Sequence, residues 1–220
     1  MLKGRKIIVT GANGALGSKV CEVAEAQGAS TLRLDLAFSE ADDNCHAVDL
    51  TDLEATTRLV GELGDFDGVF NIAGGFAMGS DTWTRDDADW EKMFALNVNT
   101  LRNMLKAAVP LLLQRGGGSI VNVGAYGARE GQADMSAYCA SKSVVMRLTE
   151  SLANEVRDQG VNVNAVLPTV IDTPANRAGM PDADPSAWVA PEDLANVICF
   201  LGSSAAHAVH GALVPVRGLS

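Results

Sequence analysis

The chain is short of positive charge. Seventeen lysines and arginines stand against 27 acidic residues, a formal charge of −10, and no stretch gathers the basic ones together. That balance argues against nucleic acid or an anionic membrane as a partner, since both bind through clustered cations. Cysteine is scarce and scattered: Cys21, Cys45, Cys139 and Cys199 show no CxxC spacing. This argues against a disulfide framework or zinc site and fits a reducing cytoplasm. The three histidines, His46, His207 and His210, have no metal-ligand spacing, so no metal is expected. No apolar run reaches the length of a membrane span. The opening "MLKGRKIIVTG" enters a strand pattern at once, leaving no room for a signal peptide. Repeats, linkers and low-complexity segments are missing too, so residues 1–220 read as a single domain.

What is present is alternation. Apolar residues make up 47% of the chain, enough for a sizeable core. Short β-branched runs at 6–11, 30–36, 44–50, 66–75, 118–125 and 161–168, with a last one near "ALVPV", read as strands. Helical patterns lie between them: one after "TGANG" closed by Gly28, one opened by Thr51 or Asp52, and a long one over 87–114 that Pro110 kinks or shortens. Further helices cover 136–159 and 191–202, and 168–191 reads as a proline-rich irregular stretch. The expectation is an α/β fold with a mainly parallel, doubly wound, seven-stranded sheet and helices on both faces.

"TGANGALG" lies between the first strand and first helix. Gly11 permits a tight turn, while Gly14 and Gly17 let a pyrophosphate approach the backbone and the helix approach the sheet. The helix N-terminus, at Asn13, Ala15 and Leu16, would offer amides to the phosphates. In the first βα unit this pattern points to a dinucleotide. Asp35 ends the second strand, where a carboxylate accepts both ribose hydroxyls of NAD and repels the 2′-phosphate of NADP. NADH is therefore expected over NADPH. Asp49 and Leu50, after the third strand, would flank the adenine, and Asn71, Ala73 and Gly74 in "NIAGG" would line the ribose.

"NVGAYGAREGQADMSAYCASK" ends in Tyr138-x-x-x-Lys142, two side chains on one helical face. Together with the glycine turn, "NIAGG", Asn97 and "LPTVIDT", in that order, it makes the chain resemble the short-chain dehydrogenase/reductase family. The resemblance implies a Rossmann-type nicotinamide-dependent oxidoreductase that forms a homodimer or homotetramer, with helices 87–114 and 136–159 as contact faces. It implies Tyr138, Lys142 and Asn97 as catalytic, with Pro168 and Thr173 beside the cofactor. Three positions depart from the family pattern: Ala15 stands for a glycine, Pro168-Thr169 for Pro-Gly, and Ala125 for the serine thirteen residues before the tyrosine.

The chain is closest in motifs to the dihydropteridine reductase branch. It shares Gly14-Ala15-Leu16-Gly17, Ala73-Gly74-Gly75, Gly124-Ala125 and the stretch "VLPTVIDTPANRAGMPDADPSAW" at 166–188, although Asn97 departs from that branch. The implied reaction is NADH-dependent reduction of a quinonoid dihydropterin-like small molecule. Lys142 is expected to lower the Tyr138 pKa so that the phenol can exchange a proton. Asn97 would bind a backbone carbonyl or a water next to Lys142. Tyr126 or Ser136 could replace the missing serine hydroxyl, though Ser136 suits a helix cap. Phe76, Met78, Trp83, Tyr126, Met180 and Trp188 are candidates for the substrate wall. Two alternatives stand beside this reading: an alcohol/ketone oxidoreductase for small hydrophobic substrates, and a non-catalytic NAD-sensing module.

Overall fold

The computed structural model describes residues 1–39, 42–79, 81–84 and 86–219. Strands β1 (Lys6–Thr10), β2 (Ser30–Asp35), β3 (Cys45–Ala47), β4 (Gly68–Asn71), β5 (Gly118–Val123), β6 (Val161–Pro168) and β7 (Leu213–Val216) follow one another along the chain. They form a parallel sheet in the order β3-β2-β1-β4-β5-β6-β7. The helices between them are α1 (Ala15–Ala26), α2 (Leu53–Glu62), α3 (Asp87–Phe94), α4 (Thr100–Arg115), α5 (Ser136–Glu155), α6 (Pro174–Gly179) and α7 (Pro191–Leu201).

Residue alternation decides which face each helix covers. Ile7 and Val9 of β1 pack with Val20 and Ala24 of α1 and with Leu194 and Ile198 of α7. Ile8 faces the other way, toward Val60 of α2, Met104 and Leu112 of α4 and Leu152 of α5. A strand buried on both faces must be apolar at every position, which is why "KIIV" shows no polar alternation. From β1 the chain winds outward to β3 and then crosses back to β4. This reversal opens a crevice at the carboxyl ends of β1 and β4, where α/β sheets bind ligands.

Three expectations need correction, and the choice of cap for α2 is settled. The stretch 87–114 is not one regular helix: Ala95–Asn99 forms a π-helical turn between α3 and α4. The wider turn adds a residue and leaves Asn97 only 2% exposed. Pro110 does not shorten α4, which runs on to Arg115 and closes on Gly116 at φ 89°. Pro110 and Lys106 are both exposed, so the helical bond that Pro110 cannot make is missing on the solvent side of α4. Asp52, rather than Thr51, caps α2, its carboxylate accepting the Ala55 amide at 3.0 Å. The stretch 168–191 is largely ordered: Thr173 caps α6, and a bridge pairs Ile171 with Val189.

The glycine turn is tight enough to test. A Cβ on Gly17 would stand 2.0 Å from the Gly11 carbonyl oxygen, whereas one on Gly61, inside α2, would meet nothing within 4 Å. Gly17→Ala is expected to cost at least about 2 kcal/mol, lowering Tm by roughly 4–8 °C. Gly61→Ala is expected to raise it by roughly 1–4 °C, because alanine gives up less backbone entropy in a helix. Thermal unfolding followed by circular dichroism reads both.

Candidate active site

The site begins at the glycine turn. Gly11 has φ +65°, and a Cβ there would lie 2.9 Å from the Ala73 backbone, so the ends of β1 and β4 touch. Gly14 opens α1 with no side-chain cap. The amides of Ala15 and Leu16, in the first turn, therefore have neither a helical carbonyl nor a capping side chain to satisfy them. A dinucleotide pyrophosphate fits such a cradle, because uncapped N–H groups at a helix N-terminus bind anions. Asp35 is fixed at the lip: its Oδ2 accepts the Asn13 amide at 2.8 Å and its Oδ1 the Leu36 amide at 2.7 Å. The Asn13 side chain donates to the Ala37 carbonyl at 3.0 Å.

The other expected cofactor residues divide into two groups. Ala73 and Gly74 lie at the open end of β4, and Thr10 Oγ1 accepts the amides of Ile72 and Ala73 at 3.0 and 3.1 Å. Asp49 is exposed, and its carboxylate takes the hydroxyl and amide of Thr51, which hold its pKa below the usual range. Leu50 and Asn71 turn their side chains inward. Pro168 ends β6 and is buried, while Thr173 Oγ1 accepts the Asn176 amide at 3.2 Å and caps α6.

Lys142, one turn from Tyr138 on α5, and Asn97 in the π turn come together across two elements. Asn97 Oδ1 accepts the Gly75 amide at 2.9 Å, and its Nδ2 donates to the Gly75 carbonyl and to Ser141 Oγ, each at 3.0 Å. The π turn thus clamps the loop after β4 to α5, and a backbone carbonyl is among the partners of Asn97, as expected. Lys142 Nζ donates to the Val123 carbonyl at 2.8 Å. Gly74 lies directly against both: a Cβ there would be 2.7 Å from Asn97 Oδ1 and 3.2 Å from Lys142 Nζ. Phe76 meets the Tyr138 ring edge-on, with centroids 4.9 Å apart.

Electrostatics differ from the expectation of a lowered tyrosine pKa. Burial pushes the Lys142 amine down to about 8 and the Tyr138 phenol up to about 12. Without a nucleotide, desolvation outweighs any help the lysine gives the phenolate. The missing serine is a real gap: Ala125 is 4% exposed and packs with Tyr126, Tyr138 and Met146. Tyr126 lies against the guanidinium groups of Arg129 and Arg217, and Arg217 Nη1 donates to its hydroxyl at 3.5 Å. Ser136 does not cap α5; it sits one residue past the cap position, and its hydroxyl is buried with no partner among the described residues.

Sequence reasoning missed Thr10, Asn122, Ser141 and the Val123 carbonyl. Asn122 is fully buried within β5, where it accepts from Asn71 at 2.8 Å and donates to Thr149 at 2.9 Å. Polar residues inside apolar strands were the available signal for Thr10 and Asn122.

A family model described as short chain dehydrogenase matches residues 5–183. The chain belongs to the short-chain dehydrogenase family. Relatives include the short chain dehydrogenase adrF of Penicillium roqueforti, 30% identical with 98% of this chain and 96% of the relative covered. The 2-(S)-hydroxypropyl-CoM dehydrogenase 3 of Xanthobacter autotrophicus is also 30% identical, over 99% of this chain and 96% of its own. Among solved structures, a putative 2-deoxy-D-gluconate 3-dehydrogenase from Agrobacterium tumefaciens with bound NADP superposes with a TM-score of 0.90. It is 31% identical, with 99% of this chain and 96% of that one covered. A short-chain dehydrogenase binds a nicotinamide cofactor and oxidises or reduces a small molecule, so this chain is an oxidoreductase.

The buried lysine has a consequence for the stability of this dehydrogenase. Lys142 titrates at about 8 in the folded chain, against 10.5 for an ordinary lysine. Between those values the unfolded chain binds more protons, so stability rises with pH. Above pH 10 the raised Tyr138 acts in the opposite sense, because the unfolded phenol ionises first. Lys142→Met is expected to be about 1–3 kcal/mol more stable than the native protein at pH 7 and to lose the rise toward pH 10. Urea denaturation at several pH values measures this.

Proposed function

We propose that the protein is an NADH-dependent reductase of a quinonoid dihydropterin-like substrate, with Tyr138 as proton donor and Lys142 as its electrostatic partner. The observation that carries the reading is the half-buried phenol and the buried amine one turn apart on α5, facing the crevice, with an alanine where a hydroxyl donor would stand. The nicotinamide, when bound, supplies the hydride. The chain's residues do the rest. Glycine-turn amides hold the pyrophosphate, and Asp35 takes the ribose hydroxyls. Lys142, with its amine mostly protonated at pH 7, offers its N–H groups to the nicotinamide ribose and its charge to the tyrosinate left after proton transfer. Asn97 keeps the loop after β4 against α5. We extend the reading to one catalytic unit over 1–220 and to a homodimer or homotetramer contacting through 87–114 and 136–159.

Two arguments support the substrate class. A conjugated, electron-poor ring accepts hydride without a dedicated oxyanion donor, so the gap at Ala125 costs it less than it costs a simple ketone. The stretch 166–188 and the Gly124-Ala125 pair resemble the dihydropteridine reductases. A second reading, an alcohol or ketone oxidoreductase, draws support from relatives named for other substrates and from Asn97. For the cofactor, Asp35 at the lip supports NADH, although solved relatives carry NADP.

Stopped-flow NADH oxidation with freshly generated quinonoid dihydropterin tests the reading against a panel of ketones. Pterin turnover is expected, reduced by ~10²–10⁴ in Tyr138→Phe and not improved by Ala125→Ser. Ketone reduction that rises in Ala125→Ser, with no pterin turnover, would favour the second reading. Asp35→Ala is expected to shift the ratio of kcat/KM values toward NADPH by ~10-fold or more, since removing the carboxylate removes its repulsion of the 2′-phosphate. An unchanged ratio would remove Asp35 from the cofactor site.

A further inference from the structure

The sequence keeps its cations apart, but the fold brings two of them to one ring. Arg129 closes the short turn Tyr126–Arg129 after β5, and Arg217 follows the end of β7. Their guanidinium carbons lie 5.0 and 4.6 Å from the centre of the Tyr126 ring. Both arginines are exposed. Two like charges this close repel, and contact with an aromatic face offsets that only in part. Among the described residues no carboxylate pairs with Arg129, so its fork of N–H donors is turned to solvent.

Position points to the substrate rather than the cofactor. Between β1, which carries the glycine turn, and β7 stand β4, β5 and β6, a distance of roughly 19 Å at the usual strand spacing. A pyrophosphate at the glycine turn is therefore out of reach of Arg217. Tyr126, by contrast, directly follows Ala125 and packs on the same small apolar cluster as Tyr138. Arg129 also borders an open cleft of about 530 Å3, whose wall includes Met146 and Leu167 of that cluster. This volume is in the range of small-molecule sites. Arg147 borders the cleft as well, but Glu150 holds it at 2.9 Å.

We infer that Arg129 and Arg217 bind a carboxylate borne by the substrate, beside the ring of Tyr126. A guanidinium matches a carboxylate with two parallel N–H donors, which makes arginine suited to this group. In a chain of net charge −10, a pair of cations at the cleft also draws an anionic ligand to that end. The two arginines move no proton; they decide which small molecules stay. The inference deepens the proposed function and rests on its reading of the Tyr138 cleft as the reacting site, to which it adds an acidic substituent on the substrate.

The test is calorimetric binding of unreactive probes to the protein loaded with oxidised nicotinamide adenine dinucleotide. Two matched pairs are used: pterin-6-carboxylate against 6-hydroxymethylpterin, and benzoate against benzamide. In at least one pair the carboxylate is expected to bind ~10-fold or more tightly than its neutral mate. Arg129→Gln and Arg217→Gln are each expected to cut that preference by ~3-fold or more. Arg58→Gln, the same loss of charge on the exposed side of α2, is expected to leave it unchanged. A preference seen with benzoate alone supports the inference and counts against the pterin reading. Pterins that bind without regard to the carboxylate, with no preference for benzoate, overturn the inference and leave that reading standing. No preference in either pair overturns it too, as does one that survives both variants or falls equally in Arg58→Gln.

Discussion

A protonated amine removed from water without a carboxylate nearby is expensive, and Lys142 is such an amine. Only desolvation moves its pKa, from 10.5 to about 8, a differential cost of roughly 3 kcal/mol. Most of the site's geometry serves to keep that amine in one place. The Val123 carbonyl at the end of β5 accepts from it. Gly74 leaves the space it fills, where a Cβ would crowd both Lys142 and Asn97. The π turn at Ala95–Asn99 rotates Asn97 to clasp Gly75 and Ser141, joining the loop after β4 to the helix that carries the lysine. These parts come from four segments distant in sequence, and the parallel sheet with its reversal between β1 and β4 brings them to one edge.

The two groups of the proposed proton transfer are shifted in opposite directions by the same cause. Burial favours neutral lysine and neutral tyrosine, so the cofactor-free site rests with its phenol firmly protonated. Opposed shifts on neighbouring groups in a cleft are a mark of functional sites. In the proposed mechanism, positive charge from the oxidised nicotinamide and from Lys142 together would make the phenolate accessible. In that mechanism, base chemistry is withheld until the nucleotide is bound.

The fold was readable because the strands buried on both faces are dominated by apolar residues, and because glycine turns and caps punctuate the chain. The glycine turn, Asp35 and the Tyr138–Lys142 pair could be placed from spacing alone, since each depends on local geometry. What escaped depends on three-dimensional environment. No sequence period distinguishes the π turn from a regular helix, so a backbone carbonyl could be expected as a partner of Asn97 but not the clasp on Gly75 and Ser141 that the turn creates. The direction of the Tyr138 shift needed the degree of burial. Ser136 could be placed near a helix start but not one residue past the cap. Asn122 and Thr10 were visible as polar interruptions in apolar strands, yet their partners lie on other strands and helices.

The account turns on the ionisation of Tyr138, and the chain has only two tyrosines. In a Tyr126→Phe background, the near-ultraviolet absorbance of tyrosinate reports Tyr138 alone. The measurement is a titration to about pH 11, with and without saturating oxidised nicotinamide adenine dinucleotide. The account predicts only about a tenth of Tyr138 ionised at pH 11 in the empty protein and at least about half when the nucleotide is bound, a midpoint lowered by at least about one unit. It also predicts that Lys142→Met reduces that lowering. An ionisation curve that the nucleotide leaves unchanged would contradict it, because burial alone would then govern Tyr138 and the proposed proton transfer would have no driving charge.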